Sequence, residues 1–231
     1  MHVFLLFLLI SLPMAIPSFV CAAESKINPI DNTFHQWKLE KESNGIKIFS
    51  QGYPDSGYKS YMGIMVVKTS LNSLVNLIED SDASSEWNHR CIKEEVLKVI
   101  SPTEKYKRIE FSTPLLFPNR DSIIYTVRTQ DPVTKTVTIT FTGKPDYIPE
   151  QPSFIRIPKV TGSWTLRPLN QDDVELIYQT YSEPGGMVNP IFANQGNQNW
   201  VLQTLTNMKD ILSKKKYKNA DGFVEELTFR K

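Results

Sequence analysis

Apolar and polar residues alternate along most of this chain, and the stretches where they stop alternating mark its helices. In "TVTITF" Val137, Ile139 and Phe141 share one face of a strand, and Thr136, Thr138 and Thr140 share the other. The same signal predicts strands at 92–100, 105–113, 121–130, 135–143, 154–157, 162–168 and 174–182. Two earlier runs, 46–53 and 58–69, form a hairpin across "PDSG". The period lengthens in "SLNSLVNLIED", where Leu71, Leu74, Val75 and Ile78 recur at helical spacing behind Ser70 as the cap. It lengthens again in "WVLQTLTNMKDILSKKK", where Val201, Leu205, Met208 and Leu212 make a stripe that Leu202 and Ile211 widen. Pro190 suits the first helical position, with Asn189 as its cap. "TFHQWKLEKESNG", residues 33–45, is expected to be a short helix ending near Gly45. Consecutive strands joined by short turns argue for an antiparallel meander, and a long closing helix must bury its stripe against the concave face of that sheet.

The first 23 residues, "MHVFLLFLLISLPMAIPSFVCAA", carry no Lys, Arg, Asp or Glu, and Pro13 interrupts an apolar run too short to span a membrane. A signal peptide cleaved near Ala22 or Ala23 is expected, with the product exported, periplasmic or secreted. Cys21 follows the branched Val20, where a lipoprotein signal wants a small residue. Residues 24–231 are of a size for one domain, with a core over about 33–213 and a tail over 214–231, of which 219–231 matches no pattern and is left open between strand, helix and disorder. The charged residues, 26 basic against 25 acidic, all lie in this part, a balance without the electrostatic footprint of a nucleic-acid binder. Cys91 is the one cysteine left after cleavage, so no internal disulfide forms, and it reads as a small buried apolar residue.

"WKLEKESNGIKIFSQ", "SSEWNHR", "FPNRDSIIY", "IRIPKVTGSWTLRPL" and "EPGGMVNPIFAN" stand in the order and roughly the spacing of the START (StAR-related lipid transfer) domain, which the chain resembles from about Trp37 to Leu212, as an exported member of bacterial type. The resemblance implies an α+β helix-grip fold: a curved antiparallel sheet wrapped around a long C-terminal helix, with an internal apolar cavity for one lipid. It implies a mouth formed by the loop at 114–120 and the segment 183–192, with gate residues Leu115, Leu116, Phe117, Pro184, Gly185, Gly186, Met187 and Val188. Glycine there permits backbone states that other residues resist, and proline fixes the hinge ends.

Strand parity and the closing stripe supply the expected cavity lining: Ile109, Phe111, Ile124, Thr126 and Arg128, with Val201, Leu205 and Met208 from the helix. Thr126 and Lys107 stand near the positions where sterol-carrying members of the family tend to place a base and an acid, a departure that weakens a sterol reading. An inward Arg128 suits a carboxylate or phosphate. Trp87 and Trp164 read as core aromatics, Arg120 and Asp121 as a structural ion pair, and Gly162 as a bulge or close approach in the sheet. The run "SKKKYK", 213–218, reads as a solvated helix end that could also attract anionic headgroups.

The partners expected are therefore a phospholipid, fatty acid or sterol-like lipid and, transiently, a membrane surface, met by a monomer. No cofactor and no metal are called for. After cleavage only His35 and His89 remain as histidines, neither in metal-ligand spacing, and no nucleophile elbow, Walker loop or dinucleotide fingerprint occurs. Two alternatives stay open: a cyclase- or hydrolase-like enzyme using the same cavity, which requires a poised acid or base facing it, and a protein-interaction module whose cavity is filled by side chains.

Overall fold

The computed structural model describes residues 37–114, 117–212, 217 and 222–227. The described residues form ten strands: β1 (Lys38–Ser43), β2 (Ile46–Gly52), β3 (Lys59–Lys68), β4 (Cys91–Ser101), β5 (Glu104–Phe111), β6 (Asn119–Gln130), β7 (Val137–Gly143), β8 (Phe154–Arg156), β9 (Lys159–Pro168) and β10 (Asp173–Glu183). Helix α1 (Leu71–Glu79), a 3-10 turn (Ser81–Ala83) and the one-turn α2 (Ser84–Trp87) follow β3, and α3 (Pro190–Leu212) follows β10. The strands make one curved sheet in the order β1-β2-β3-β10-β9-β7-β6-β5-β4, antiparallel along that path. β8 departs from the meander by pairing parallel with β6 through Asn119, Arg120 and Asp121. The architecture is the helix-grip fold.

The expected helix at 33–45 is a strand where the structure describes it; residues 33–36 lie outside the described residues. Asn44 and Gly45 both take left-handed backbone, φ 52° and 76°, and join β1 to β2 with Ser43 opposite Ile46, the geometry of a two-residue hairpin turn. The Lys/Glu-rich β1 is the charged edge of the sheet, a composition that discourages pairing with another chain. Helical propensity in Lys and Glu is worth tenths of a kcal/mol, less than a ladder of hydrogen bonds to β2.

α1 begins as its sequence dictates, with the Ser70 side chain accepting from the Ser73 backbone N–H, and buries Leu71, Leu74, Val75 and Ile78. A second cap comes from a part of the chain that carries no periodic pattern. The Glu226 carboxylate accepts from the backbone N–H groups of Leu71 (3.2 Å) and Asn72 (2.8 Å), a favourable place for an anion at a helix N-terminus. The buried Asn72 holds the tail in turn, accepting from Phe223 and Val224 and donating to the Val224 carbonyl. Residues 222–227 are thus neither strand nor helix but an extended strap pinned by side chains.

The stripe of α3 packs on β2 and β3. Val201, Leu205 and Met208 are fully buried, and Gly63 of β3 is their seat, since a Cβ there would overlap Leu205 and Val201. The same core takes in Ile46, Ile48, Leu74, Leu166 and Leu176. At Gly162 the expected close approach is real: a Cβ would run into the Gln179 carbonyl and the Phe141 ring.

Candidate functional site: an internal cavity

A cavity of about 740 Å³ lies between the other half of the sheet, α2 and the N-terminal half of α3. Strand alternation builds its walls. On β5 every second residue from Lys105 to Phe111 faces in, continued by Thr103 in the turn before it, and on β6 every second residue from Arg120 to Arg128 does so. Ile109, Phe111, Ile124, Thr126 and Arg128 therefore line it as the sequence predicts. Opposite them stand Ile139 and Phe141 of β7, Trp164 of β9 and Tyr178 of β10. Trp164 stacks on Tyr178 at 3.8 Å between ring centres, and Trp87 meets Trp164 edge-on at 5.8 Å. These tryptophans are buried, as expected, and they are cavity wall as well. The interior is not filled: the volume stands well above the roughly 300 Å³ at which ligand pockets begin.

Val201, Leu205 and Met208 do not line it. They are spent on the β2–β3 core, and α3 reaches the cavity with an earlier set, Phe192, Ala193, Gly196, Asn197 and Trp200. The helix crosses from cavity to core along its length, so its most apolar stripe is the part with no space left beside it.

Charged side chains facing the inner end are tied to one another. Glu79 receives Lys105 at 2.5 Å and Arg128 at 2.7 Å, while Arg128 also donates to the carbonyls of Phe223 (2.5 Å) and Pro102 (3.3 Å). Arg128 points inward but closes the floor rather than waiting for a guest. The buried Glu94 takes Lys107 at 2.6 Å and the hydroxyls of Ser81 and Ser84 at 2.9 and 2.8 Å. Burial, helped by the Arg90 charge, lowers the His89 pKa and favours the neutral ring, and burial raises the Tyr178 hydroxyl to about 12. Two buried polar atoms of the lining have no partner among the described residues: Ser122 Oγ and Trp87 Nε1.

Arg120 and Asp121 do not pair with each other, because neighbours on a strand face opposite ways. Asp121 points out of the cavity, to Arg156 (2.8 and 3.1 Å) and Arg108 (2.9 Å). Arg120 points in, to the mouth, where its guanidinium donates to the carbonyls of Pro118 (2.6 Å) and Pro184 (3.4 Å), one in each rim segment.

Phe117, Pro184, Met187 and Val188 line the mouth. Leu115 and Leu116 lie outside the described residues. Gly185 and Gly186 face β8 instead, against Ile155 and Arg156, with φ 69° and 64°. Met187 continues the left-handed run at φ 53°, a state that costs a side chain other than glycine about 1–3 kcal/mol. Phe117, Met187, Ile191 and Phe192 are exposed, Met187 completely, and form an apolar rim. Below it the segment is anchored: Tyr58 donates to the Val188 carbonyl at 3.0 Å, and Asn189 caps α3 by accepting from Ile191 N–H at 2.9 Å. Of "SKKKYK", Tyr217 alone is described; it is buried and donates to Asp80 at 3.1 Å, and the rest lies outside the described residues.

The chain is 32% identical over 180 residues to an uncharacterized protein of Pseudomonas aeruginosa, PA1579, an alignment covering 78% of this chain and 88% of that one. Among solved structures it is similar to a STAR-related lipid transfer protein from Xanthomonas axonopodis, with a TM-score of 0.72 and 28% identity over 78% of this chain and 99% of that one. Human STARD10 superposes with a TM-score of 0.71 at 13% identity, over 79% and 75% of the two chains, a likeness of fold alone. No family model matches the sequence.

Proposed function

The chain belongs to the START-domain family, and from that premise we propose that it binds one lipid in the cavity, without catalysis, and carries it between membranes. The observation that carries the reading is an unfilled apolar cavity whose mouth is rimmed by exposed apolar side chains. A chain of about sixteen carbons hides from water at about 0.8 kcal/mol per CH₂, so bare aqueous transfer faces on the order of 13 kcal/mol. A dry cavity removes most of that barrier. The rim gives the mouth something to press into a bilayer, and the segment 183–192 opens there while its anchored ends hold α3 in place.

A carrier reading is favoured over an enzyme by the state of the inward carboxylates. Glu79 and Glu94 are each held by cations, and general acid or base chemistry needs such a group poised rather than neutralised. Export through a cleaved signal peptide, and action as a monomer, belong to the same proposal. The experiment is transfer of a fluorescent acyl lipid between vesicles by delipidated protein. The rate rises in proportion to protein concentration if the reading holds, and stays at the spontaneous rate if it fails.

A further inference from the structure

We infer that the guest is an anionic lipid whose carboxylate or phosphate is held just inside the mouth by the Arg120 guanidinium and the Ser122 hydroxyl, with its hydrocarbon directed inward. The inference rests on the carrier reading and adds the chemical class of the cargo.

Two acids, Glu79 and Glu94, stand against Lys105, Lys107 and Arg128, and every one of those five is spent within the set. Two cations are left over, Arg120 and the exposed Arg90. Arg120 is the one out of water. It is buried, 6% exposed, yet no carboxylate among the described residues lies within ion-pair distance of it. Its hydrogen bonds go to two carbonyls, which offset a charge only in part, and Nη2 makes none among the described residues. A buried cation without an anion is a costly arrangement unless something supplies one.

Two residues further in on the same face of β6, Ser122 is 2% exposed and its hydroxyl has no partner. Successive inward positions on a strand are about 7 Å apart, a gap that one headgroup with several oxygens can bridge. Beyond Ser122 the next inward position is the apolar Ile124, with Lys107 and Gly143 directly across from it and Ile109 and Phe141 diagonal to it, before Thr126 and Arg128. From the mouth the order is cation, hydroxyl, then the apolar band of Ile124, Ile109, Ile139 and Phe141 above an ion-paired floor, an order that suits an acidic lipid entering tail first. A neutral lipid would satisfy Ser122 and leave Arg120 uncompensated. A zwitterionic headgroup would bring its own cation to a mouth that Arg90 also lines.

The test compares oleate with oleyl alcohol, the same chain without the charge, on delipidated protein by calorimetry or displacement of a fluorescent fatty acid. The wild type binds oleate about ten- to a hundredfold more tightly, the weight of a hydrogen-bonded buried charge. In Arg120→Gln that preference disappears while oleyl alcohol affinity is unchanged, Arg120→Lys retains part of it, and Ser122→Ala weakens oleate by about three- to tenfold. Offering phosphatidylglycerol and phosphatidylcholine of matched chains identifies the source of the oxyanion: uptake of phosphatidylglycerol over phosphatidylcholine marks a phospholipid cargo, and uptake of neither with tight oleate binding marks a fatty acid. Equal affinity of the wild type for oleate and oleyl alcohol overturns the inference, as does equal uptake of the two phospholipids. Equal loss of both single-chain ligands in Arg120→Gln also overturns it, leaving Arg120 as a latch between the rim segments. Should Arg120→Gln fail to fold, the wild-type preference and Ser122→Ala still decide. Failure of every lipid to bind sinks the carrier reading itself, an outcome distinct from binding without headgroup preference.

Discussion

Replacing Met187 by Asp separates the rim from the core. The Met187 side chain is fully exposed, so it contributes no packing to the folded state, and what it contributes on a membrane is the transfer of its own surface out of water. Full burial of a methionine is worth about 1.5–3 kcal/mol, which makes the mutant's hold on a bilayer about ten- to a hundredfold weaker. The folded state feels the opposite sign. Met187 sits at φ 53°, and Asp tolerates left-handed backbone better than Met, so stability stays equal or rises slightly. The assay pairs vesicle-to-vesicle transfer with a thermal melt, on zwitterionic vesicles so that charge repulsion does not imitate lost insertion, and with Met187→Asn as an uncharged companion. Both variants are expected to transfer slowly and melt like the parent. Parental transfer rates in both would remove the rim from the mechanism, and a large drop in melting temperature would show that Met187 supports the fold after all.

Asp121 sets an acid limit on stability. Burial works to raise its carboxyl, but the hydrogen bonds and charges of Arg156 and Arg108 outweigh burial and hold the pKa below its ordinary 3.8. Its contribution is therefore complete above that value and is lost as pH falls through the lower folded one. Asp121→Asn, which leaves the buried Arg156 without a carboxylate and Arg108 with Glu110 alone, should cost about 3–5 kcal/mol in urea unfolding at neutral pH and flatten the acid limb of the pH profile. Burial raises the Cys91 thiol to about 11, so a disulfide reagent at pH 8 should react with it only on unfolding; prompt reaction in the native state would contradict its placement.

What the sequence made legible follows from local pattern. Alternation in 137–141, the Ser70 cap and the Asn189–Pro190 start of α3 are decided by neighbours within a few residues, and each stands where the pattern puts it. The edge strand β1 was readable from Asn44-Gly45, a hairpin signal that the Lys/Glu composition before it obscured. The cavity wall on β5 and β6 followed from parity, but the α3 lining did not: periodicity shows which face of a helix is buried, not whether protein or a hollow lies against it. Parity also placed Arg120 opposite in direction to Asp121, which rules out the ion pair their adjacency suggests. The strap at 222–227 had no local signal at all, since Asn72, Gln130 and Arg128 hold it through contacts far apart in the chain.

Native mass spectrometry of protein purified from its own host tests the central claim most directly. A hollow of this size bounded by apolar side chains should travel with its cargo, so the spectrum should show the chain plus one lipid mass, released on activation as a single anionic species. A spectrum of the bare chain alone, unchanged after incubation with lipid vesicles, would contradict the account.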